Sequence, residues 1–578
     1  MQSLTSTRDS TAGPAGTATS TPPRIEAPYF GEDWWQRGVV YQIYPRSFAD
    51  SDGNGVGDLG GIIERLDHLN DGTPGSLGVD AIWLSPIYPS PGLDLGYDVS
   101  DHATIDPLFG SLADFDRLVD EAHRRGVRVI LDLVMNHTSD AHAWFAESRL
   151  DRTNPRADWY LWRDAAGADR RGRPKRPNNW QSFFGGPAWT WDPGREQFYL
   201  HTFLPEQPDL NWREPAVRMA MLGMVRGWLD RGVDGFRLDV FNIFFKHEQL
   251  PSNPRRPLAL RPYRRQQHRH DRNQPELREL LAEFRVLVDE APGRMTVGEL
   301  FDGTPAIAAG YTVPRHLAFD FRMLAQPWRA RSLGRVVAER ERVFTGDRWP
   351  CIVLSNHDQS RHVSRLGGRD PDSVARAAAM LLLTLRGTPF LYYGEEIAMP
   401  DIEVPRAEII DPPARRSGIL ARLLAPWWNR DRARAPMAWS DGPNGGFSTG
   451  RPWLRPIPDA ATRNVEQQRD DPASVLSFYR RLIWLRRELP ALQIGAYRRL
   501  RTPSDVLGYL RLGDGQAVLV AVNTGQRAQS IRLSGHPSRG RWTRLLGTHD
   551  GGRPNPLEHP DGSDIALQPN EGLLLRAD

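Results

Sequence analysis

The nine residues DGFRLDVFN, Asp234 to Asn242, put a charged pair where a core belongs. Phe236, Leu238 and Val240 alternate with Arg237 and Asp239, and residues two apart share one face of a β-strand. An internal salt bridge fits this pattern. So does an ionised nucleophile held beside its own arginine, and the rest of the chain has to decide.

Seven further β-branched or aromatic runs resemble this one: VVYQIYPRSF (39–48), VDAIWLSPI (79–87), VRVILDLVMNH (127–137), RMTVGEL (294–300), HLAFDF (316–321), PCIVLSNHD (350–358) and TPFLYYGEE (388–396). Helical patterns such as 112–126, 216–232 and 275–290 lie between them. Eight strands alternating with helices predict an α/β fold, a (β/α)8 TIM barrel, whose strands are covered on both faces and so are apolar almost throughout. The third run ends in Asn136-His137, the fourth in Arg237 and Asp239, the fifth in Glu299 and the seventh in Asn356-His357-Asp358. Unrelated core salt bridges have no reason to gather at one end of four strands, whereas a barrel active site does.

The barrel is expected over 28–137 and 207–494. Residues 138–206 are too long for an ordinary loop and predict an inserted subdomain over the barrel mouth. A second insertion is expected at about 397–470. From about 495 to 578, short alternating runs with Gly-containing turns predict an antiparallel β domain. Residues 1–27, rich in Ser, Thr, Pro, Gly and Ala, are expected to be a disordered tail.

Composition narrows the function classes. Lys+Arg 74 against Asp+Glu 71 leaves a formal charge of +3, with no basic run interleaved with aromatics, so nucleic acid is not an expected partner. Only Lys175 and Lys246 are lysines, which reads as a coding bias. The single cysteine, Cys351, excludes an internal disulfide and points to a reducing, cytoplasmic setting. No signal peptide or membrane span is expected, because no run of about 18 apolar residues occurs. The 19 tryptophans fit sugar platforms, but a large core explains them as well.

Asp239, Glu299 and Asp358 each end a different strand. Cleaving a glycosidic bond with retention needs one carboxylate as nucleophile and one protonated carboxyl for the leaving oxygen, roughly 5–5.5 Å apart. Arg237 beside Asp239 would keep it ionised, whereas Glu299 has no basic neighbour nearer than Arg294 and would be raised by burial.

These residues fall in motifs. DLVMNH (132–137), GFRLDV (235–240), VGEL (297–300) and SNHD (355–358), supported by GVDAIWLSPI (78–87) and QPDLN (207–211), resemble glycoside hydrolase family 13, the α-amylase family, and within it the bacterial α-glucosidase and oligo-1,6-glucosidase group. The resemblance implies Asp239 as nucleophile, Glu299 as general acid/base and Asp358 as the third carboxylate that binds and distorts the sugar. It implies that His137, Arg237 and His357 contact the non-reducing glucose. DLGYDV (94–99) is similar to the segment that supplies the floor and wall of that subsite, here Asp94 and Tyr97. RDRARAPMAW (430–439) resembles the motif whose arginine pairs with that aspartate and closes the pocket in exo-acting members; the role goes to Arg430, with Arg434 close by as an alternative. Phe184 in NWQSFFGG either stacks on the sugar or packs. In related enzymes the residue after the nucleophile helps select linkage, Val tending toward α-1,6, but FNIFFKHE after Asp239-Val240 departs from the oligo-1,6-glucosidase pattern, so linkage stays open.

DSDGNGVGD (50–58) spaces oxygen donors at Asp50, Asp52, Asn54 and Asp58 with the Val56 carbonyl between them, as hard cations require. Gly61 stands where an EF-hand carries its bidentate Glu, so a calcium switch is not expected. The resemblance implies a structural Ca2+ or Mg2+ here and no organic cofactor; a solvated Asx-rich turn is the alternative. The expected protein is a monomer or homodimer that releases glucose from short α-glucosides, with transglucosylation possible. Sucrose- or trehalose-directed relatives form the alternative, as does a silent member such as the transporter subunits of this family. Those carry a membrane helix and have usually lost the carboxylates retained here.

Overall fold

All eight runs become strands of one parallel sheet: β1 Val40–Ile43, β2 Ala81–Leu84, β3 Arg128–Leu133, β4 Gly235–Leu238, β5 Met295–Gly298, β6 His316–Ala318, β7 Cys351–Val353 and β8 Thr388–Tyr392. The computed structural model describes residues 31–256, 259, 262–301, 303–312, 316–368, 370–416, 429–535, 540–551 and 557–578; the expected tail at 1–27 lies outside them. Spatial order runs β7, β8, β1, β2, β3, β4, β5, β6, every pairing parallel. Between the two end strands the Cys351 thiol donates to the Ala318 carbonyl at 3.2 Å, bringing the circle nearly to closure.

Alternation along each strand divides its side chains between two cores. Val40, Trp83, Ile130, Val297, Leu317, Val353 and Phe390 fill the barrel. Tyr41, Ile82, Leu131, Phe236, Ile352 and Leu391 face the surrounding helices. Burial on both sides is why these runs read as apolar throughout. At about 1.5–3 kcal/mol for each fully buried large side chain, the two cores together dominate the folding energetics.

The helices show their own logic. In Leu112–Arg124, Phe115, Leu118, Val119 and Ala122 are buried at helical spacing, and Ser111 with Asp114 forms a reciprocal capping box worth about 1 kcal/mol. Pro215–Asp230 begins with Pro at its first position, where no N–H is needed.

Within 138–206, Trp162–Arg163, Gln197–Leu200 and Trp189–Asp192 form a three-stranded antiparallel sheet. It is tied to the barrel through Asp209, whose N–H donates to the Leu200 carbonyl and whose carbonyl accepts from Leu161. Beyond helix Val475–Glu488, a six-stranded sheet of Ala496–Arg499, Val506–Gly513, Gln516–Asn523, Gly572–Ala577, Arg541–Gly547 and Glu558–Pro560 covers the C-terminal part. Its first long hairpin turns at Asp514-Gly515, both with positive φ, the conformation a two-residue hairpin needs. Cys351 is buried and free. Among the described residues no helix is long and apolar enough to cross a membrane.

Candidate active site

The polar ends of β3, β4 and β5 meet around one guanidinium, that of Arg237. β3 and β4 pair with Asp132 opposite Arg237, and β4 and β5 with Leu238 opposite Gly298, one residue before Glu299. Arg237 Nη1 therefore donates to Asp132 Oδ1 at 2.8 Å and to Asp239 Oδ1 at 2.7 Å, while its Nη2 donates to Glu299 Oε2. The expectation that Arg237 singles out Asp239 is corrected here. Strand register carries Glu299 to the same arginine, so no lack of basic neighbours separates the two carboxyls.

Burial has a second effect on Asp239. It pushes the carboxyl up to about 7, against Arg237 and with added repulsion from Asp132 and Asp358. Arg237 stays charged: burial disfavours its cation, but Asp132, Tyr97 and Asp239 more than compensate. Asp358 is the most open of the three, its side chain 27% exposed against 8% for Asp239 and 13% for Glu299. Burial acts to raise it, yet His357, Arg430, Arg434 and Arg237 hold it well below the usual carboxylate range.

His357 stacks on Tyr97 with the rings 5.4 Å apart and 2° from parallel. Gln42 Nε2 donates to His357 Nδ1 at 2.8 Å, so the ring proton sits on Nε2, facing the Tyr97 hydroxyl at 2.6 Å. Burial, aided by the nearby arginines, brings His357 down to about 3 and keeps it neutral. The Tyr97 hydroxyl in turn donates a hydrogen bond to Asp132 Oδ2 at 3.0 Å. His137, brought down to about 4 by burial, lies between the Tyr97 carbonyl at 3.1 Å and Gln207 Nε2 at 3.1 Å.

Arg430 rather than Arg434 reaches Asp94, with Nη2 2.6 Å from Oδ1. Its Nε binds Asp411 Oδ1 at 2.6 Å and its Nη1 approaches Asp358 Oδ1 at 3.3 Å. Arg434 turns to Asp358 Oδ1 at 3.0 Å and to the His357 carbonyl at 2.8 Å. Burial pushes Asp94 up to about 6, with Arg430 opposing. The Arg430 guanidinium lies 5.3 Å from the Phe184 ring centre, and Phe184 packs with Phe203, Leu204, Val240 and Ile243. Phe184 therefore packs in an apolar cluster beside the arginine that pairs with Asp94.

Val240 has φ 35° and ψ 39°, a left-handed conformation rare for a β-branched residue and costing about 1–3 kcal/mol. It turns the chain away from the barrel directly after Asp239.

Asp132, Gln207 and Asp411 escaped the sequence reading as site residues. Asp132 and Gln207 stood inside motifs already quoted, and an acidic residue four before the polar end Asn136-His137 of its run was a usable signal for the first. Nothing near Asp411 marked it.

The carboxylates of Asp50, Asp52 and Asp58 bring oxygens within 4.8 Å of one another. Asp50 accepts from the Gly53 and Gly55 N–H groups and from the Ser448 hydroxyl. A Cβ at Gly55, where φ is +93°, would meet the Arg451 carbonyl oxygen at 2.0 Å, so the turn needs glycine. Asn54 Oδ1 accepts from the Val56 N–H at 2.8 Å. This all-oxygen donor set on a tight loop fits a hard cation.

Residues 42–495 match the family model described as the α-amylase catalytic domain. The chain belongs to the α-amylase family. A probable α-glucosidase of Rhizobium meliloti strain 1021 is 45% identical, with 87% of this chain and 91% of that protein covered. An oligo-1,6-glucosidase of Parageobacillus thermoglucosidasius is 37% identical, with 87% and 92% covered. The solved structure of the α-glucosyl transfer enzyme XgtA superposes with a TM-score of 0.85 at 42% identity, over 94% of this chain and 99% of that one. As an α-amylase family member the chain is a glycoside hydrolase by lineage, and all three carboxylates stand at the mouth of its barrel.

Proposed function

We propose that this protein is a retaining, exo-acting α-glucosidase that releases glucose from the non-reducing end of short α-glucosides and transfers it to sugars when they compete with water. The observation that carries this reading is the Arg430–Asp94 ion pair beside Asp358, which would close one end of the site around a terminal sugar.

In the first step an Asp239 carboxylate oxygen attacks the anomeric carbon while the Glu299 carboxyl gives its proton to the glycosidic oxygen, and that bond breaks. The glucosyl group is then held on Asp239 as an ester. In the second step the Glu299 carboxylate takes a proton from water or a sugar hydroxyl, whose oxygen attacks the same carbon and frees Asp239. Two inversions give retention. Asp358, ionised at all working pH values, holds sugar hydroxyls, and neutral His137 and His357 donate or accept there without competing for charge. Arg237, bonded to both reacting carboxyls, fixes their spacing.

Asp50, Asp52, Asn54, the Val56 carbonyl and Asp58 would hold a structural Ca2+ or Mg2+, neutralising the crowded carboxylates and bracing the turn against residues 448–453. It would supply no catalytic chemistry. The single, buried cysteine supports a cytoplasmic setting.

A panel of maltose, isomaltose, sucrose, trehalose, kojibiose and nigerose, with products resolved at low and high sugar concentration, tests the reading. Glucose release from at least one α-linked disaccharide, with transfer products rising at high sugar, is expected. Inertness toward the whole panel, or internal cleavage of long glucans in preference to it, overturns it.

A further inference from the structure

The segment that follows the nucleophile strand ends on one of the chain's two lysines, Lys246, whose side chain is fully buried. Its three ammonium hydrogens meet three acceptors: Asp209 Oδ2 at 2.7 Å, Asn136 Oδ1 at 2.8 Å and the Ile243 carbonyl at 2.6 Å. A buried ion pair adds little stability compared with apolar side chains of the same volume. What this one does is geometric, because each acceptor belongs to a different piece of chain.

Ile243 closes the short 3-10 turn Phe241–Ile243 that begins at the strained Val240, so Lys246 clamps the turn directly behind Asp239. Asn136 lies beyond β3, and its Nδ2 donates to His137 Nδ1 at 3.2 Å and to Asp209 Oδ1 at 3.1 Å. Asp209 lies just past the inserted segment and forms a β-bridge with His137. His137 Nε2 donates to the Tyr97 carbonyl at 3.1 Å, which Gln207 Nε2 also reaches at 3.3 Å while donating to Asp94 Oδ2 at 3.0 Å, and Asp94 pairs with Arg430. One cation thus joins the turn under the nucleophile to the floor of the terminal-sugar pocket.

We propose that Lys246 is a positioning residue, which touches no sugar and sets where Asp239 stands relative to His137 and the pocket floor. A neutral side chain of the same length would fill the volume but leave Asp209 buried without its cation, and the three segments would be free to shift. A misplacement of about 1 Å at the reacting carbon costs about 100-fold in rate.

The inference rests on the glucosidase reading and is tested on the full chain with Lys246→Met, which keeps the stem and removes the charge, and with Asp209→Asn. With p-nitrophenyl α-glucoside, and with active sites counted by trapping the glucosyl-enzyme, each variant is expected to lose about 100-fold in kcat per competent site, to raise KM several-fold and to keep the wild-type circular dichroism. Lys246→Arg, which restores a cation, is expected to recover part of kcat. Wild-type kcat and KM in folded Lys246→Met overturn the inference, as does a loss that only tracks the folded fraction. Should Lys246→Met fail to fold, Asp209→Asn carries the same test. A crystal structure of the soluble variant reads the geometry without turnover: unchanged positions of His137 and Asp239 overturn the inference. Failure of the wild-type protein to hydrolyse any glucoside removes the glucosidase reading alone.

Discussion

Arg430 Nη2 and Asp94 Oδ1 lie 2.6 Å apart although 336 positions separate them in the chain. The same guanidinium is anchored from behind by Asp411 and reaches forward to Asp358, so the pair is held from both sides. Truncating one partner of a buried, hydrogen-bonded charge pair costs about 2–5 kcal/mol. Arg430→Ala is therefore expected to lower kcat/KM for maltose-type substrates by about 30-fold to several-thousand-fold, and to raise relative activity on longer chains as the pocket opens. Steady-state kinetics on a disaccharide and on a long glucan check both parts; unchanged KM and kcat would contradict the pocket.

Loss of the nucleophile should be close to absolute. Asp239→Ala is expected to drop kcat on p-nitrophenyl α-glucoside by about 10⁴-fold or more, since groups acting as a unit leave little activity when one is removed. In the wild-type enzyme, proton NMR of early product should show α-glucose first. First-formed β-glucose would exclude the two-step route.

The pH dependence has two parts with opposite signs. Asp94 near 6 and Asp239 near 7 bind protons more tightly when folded than an ordinary aspartate near 3.9. Between those limits the folded chain carries protons the unfolded chain has lost, so these groups make stability fall as pH rises from about 4 to about 7. Asp358, held low, contributes stability that is full above about pH 4 and is lost as pH falls further. Because the nucleophile must be ionised, kcat/KM should rise with pH and level off near 7. A limb near pH 4 with no break near 7 would show that Asp239 ionises like an exposed aspartate.

The carboxylate loop makes a separate thermal prediction. Added Ca2+ or Mg2+ at 100 times its Kd stabilises by about 2.7 kcal/mol if it binds only the folded chain. The protein is expected to melt lower after chelation and to recover with either ion, with kcat little changed at low temperature. Asp52→Asn should blunt the recovery. A melting temperature indifferent to both ions assigns the loop to a solvated turn.

The barrel was legible because its strands are buried on both faces. That burial makes each run continuous in apolar residues until the polar end, and both features are local. The three candidate carboxylates were legible for the same reason, since Asp239, Glu299 and Asp358 break the apolar pattern at matching places. The hairpin at Asp514-Gly515 was also written locally, in a pair of residues able to take positive φ.

What the linear order could not determine was who pairs with whom across it. Arg237 looked like the private partner of Asp239, its neighbour by two, yet register between β3, β4 and β5 gives it Asp132 and Glu299 as well. Its field was expected to keep Asp239 low, but burial, which only the closed fold sets, weighs more and raises it. The choice of Arg430 over Arg434, the support from Asp411 and the three-way clamp of Lys246 likewise depend on loops meeting from distant segments. Sequence alone determined which residues end the strands, through local periodicity; the tertiary structure decided their charges and partners, because Coulomb and desolvation terms depend on distance in space.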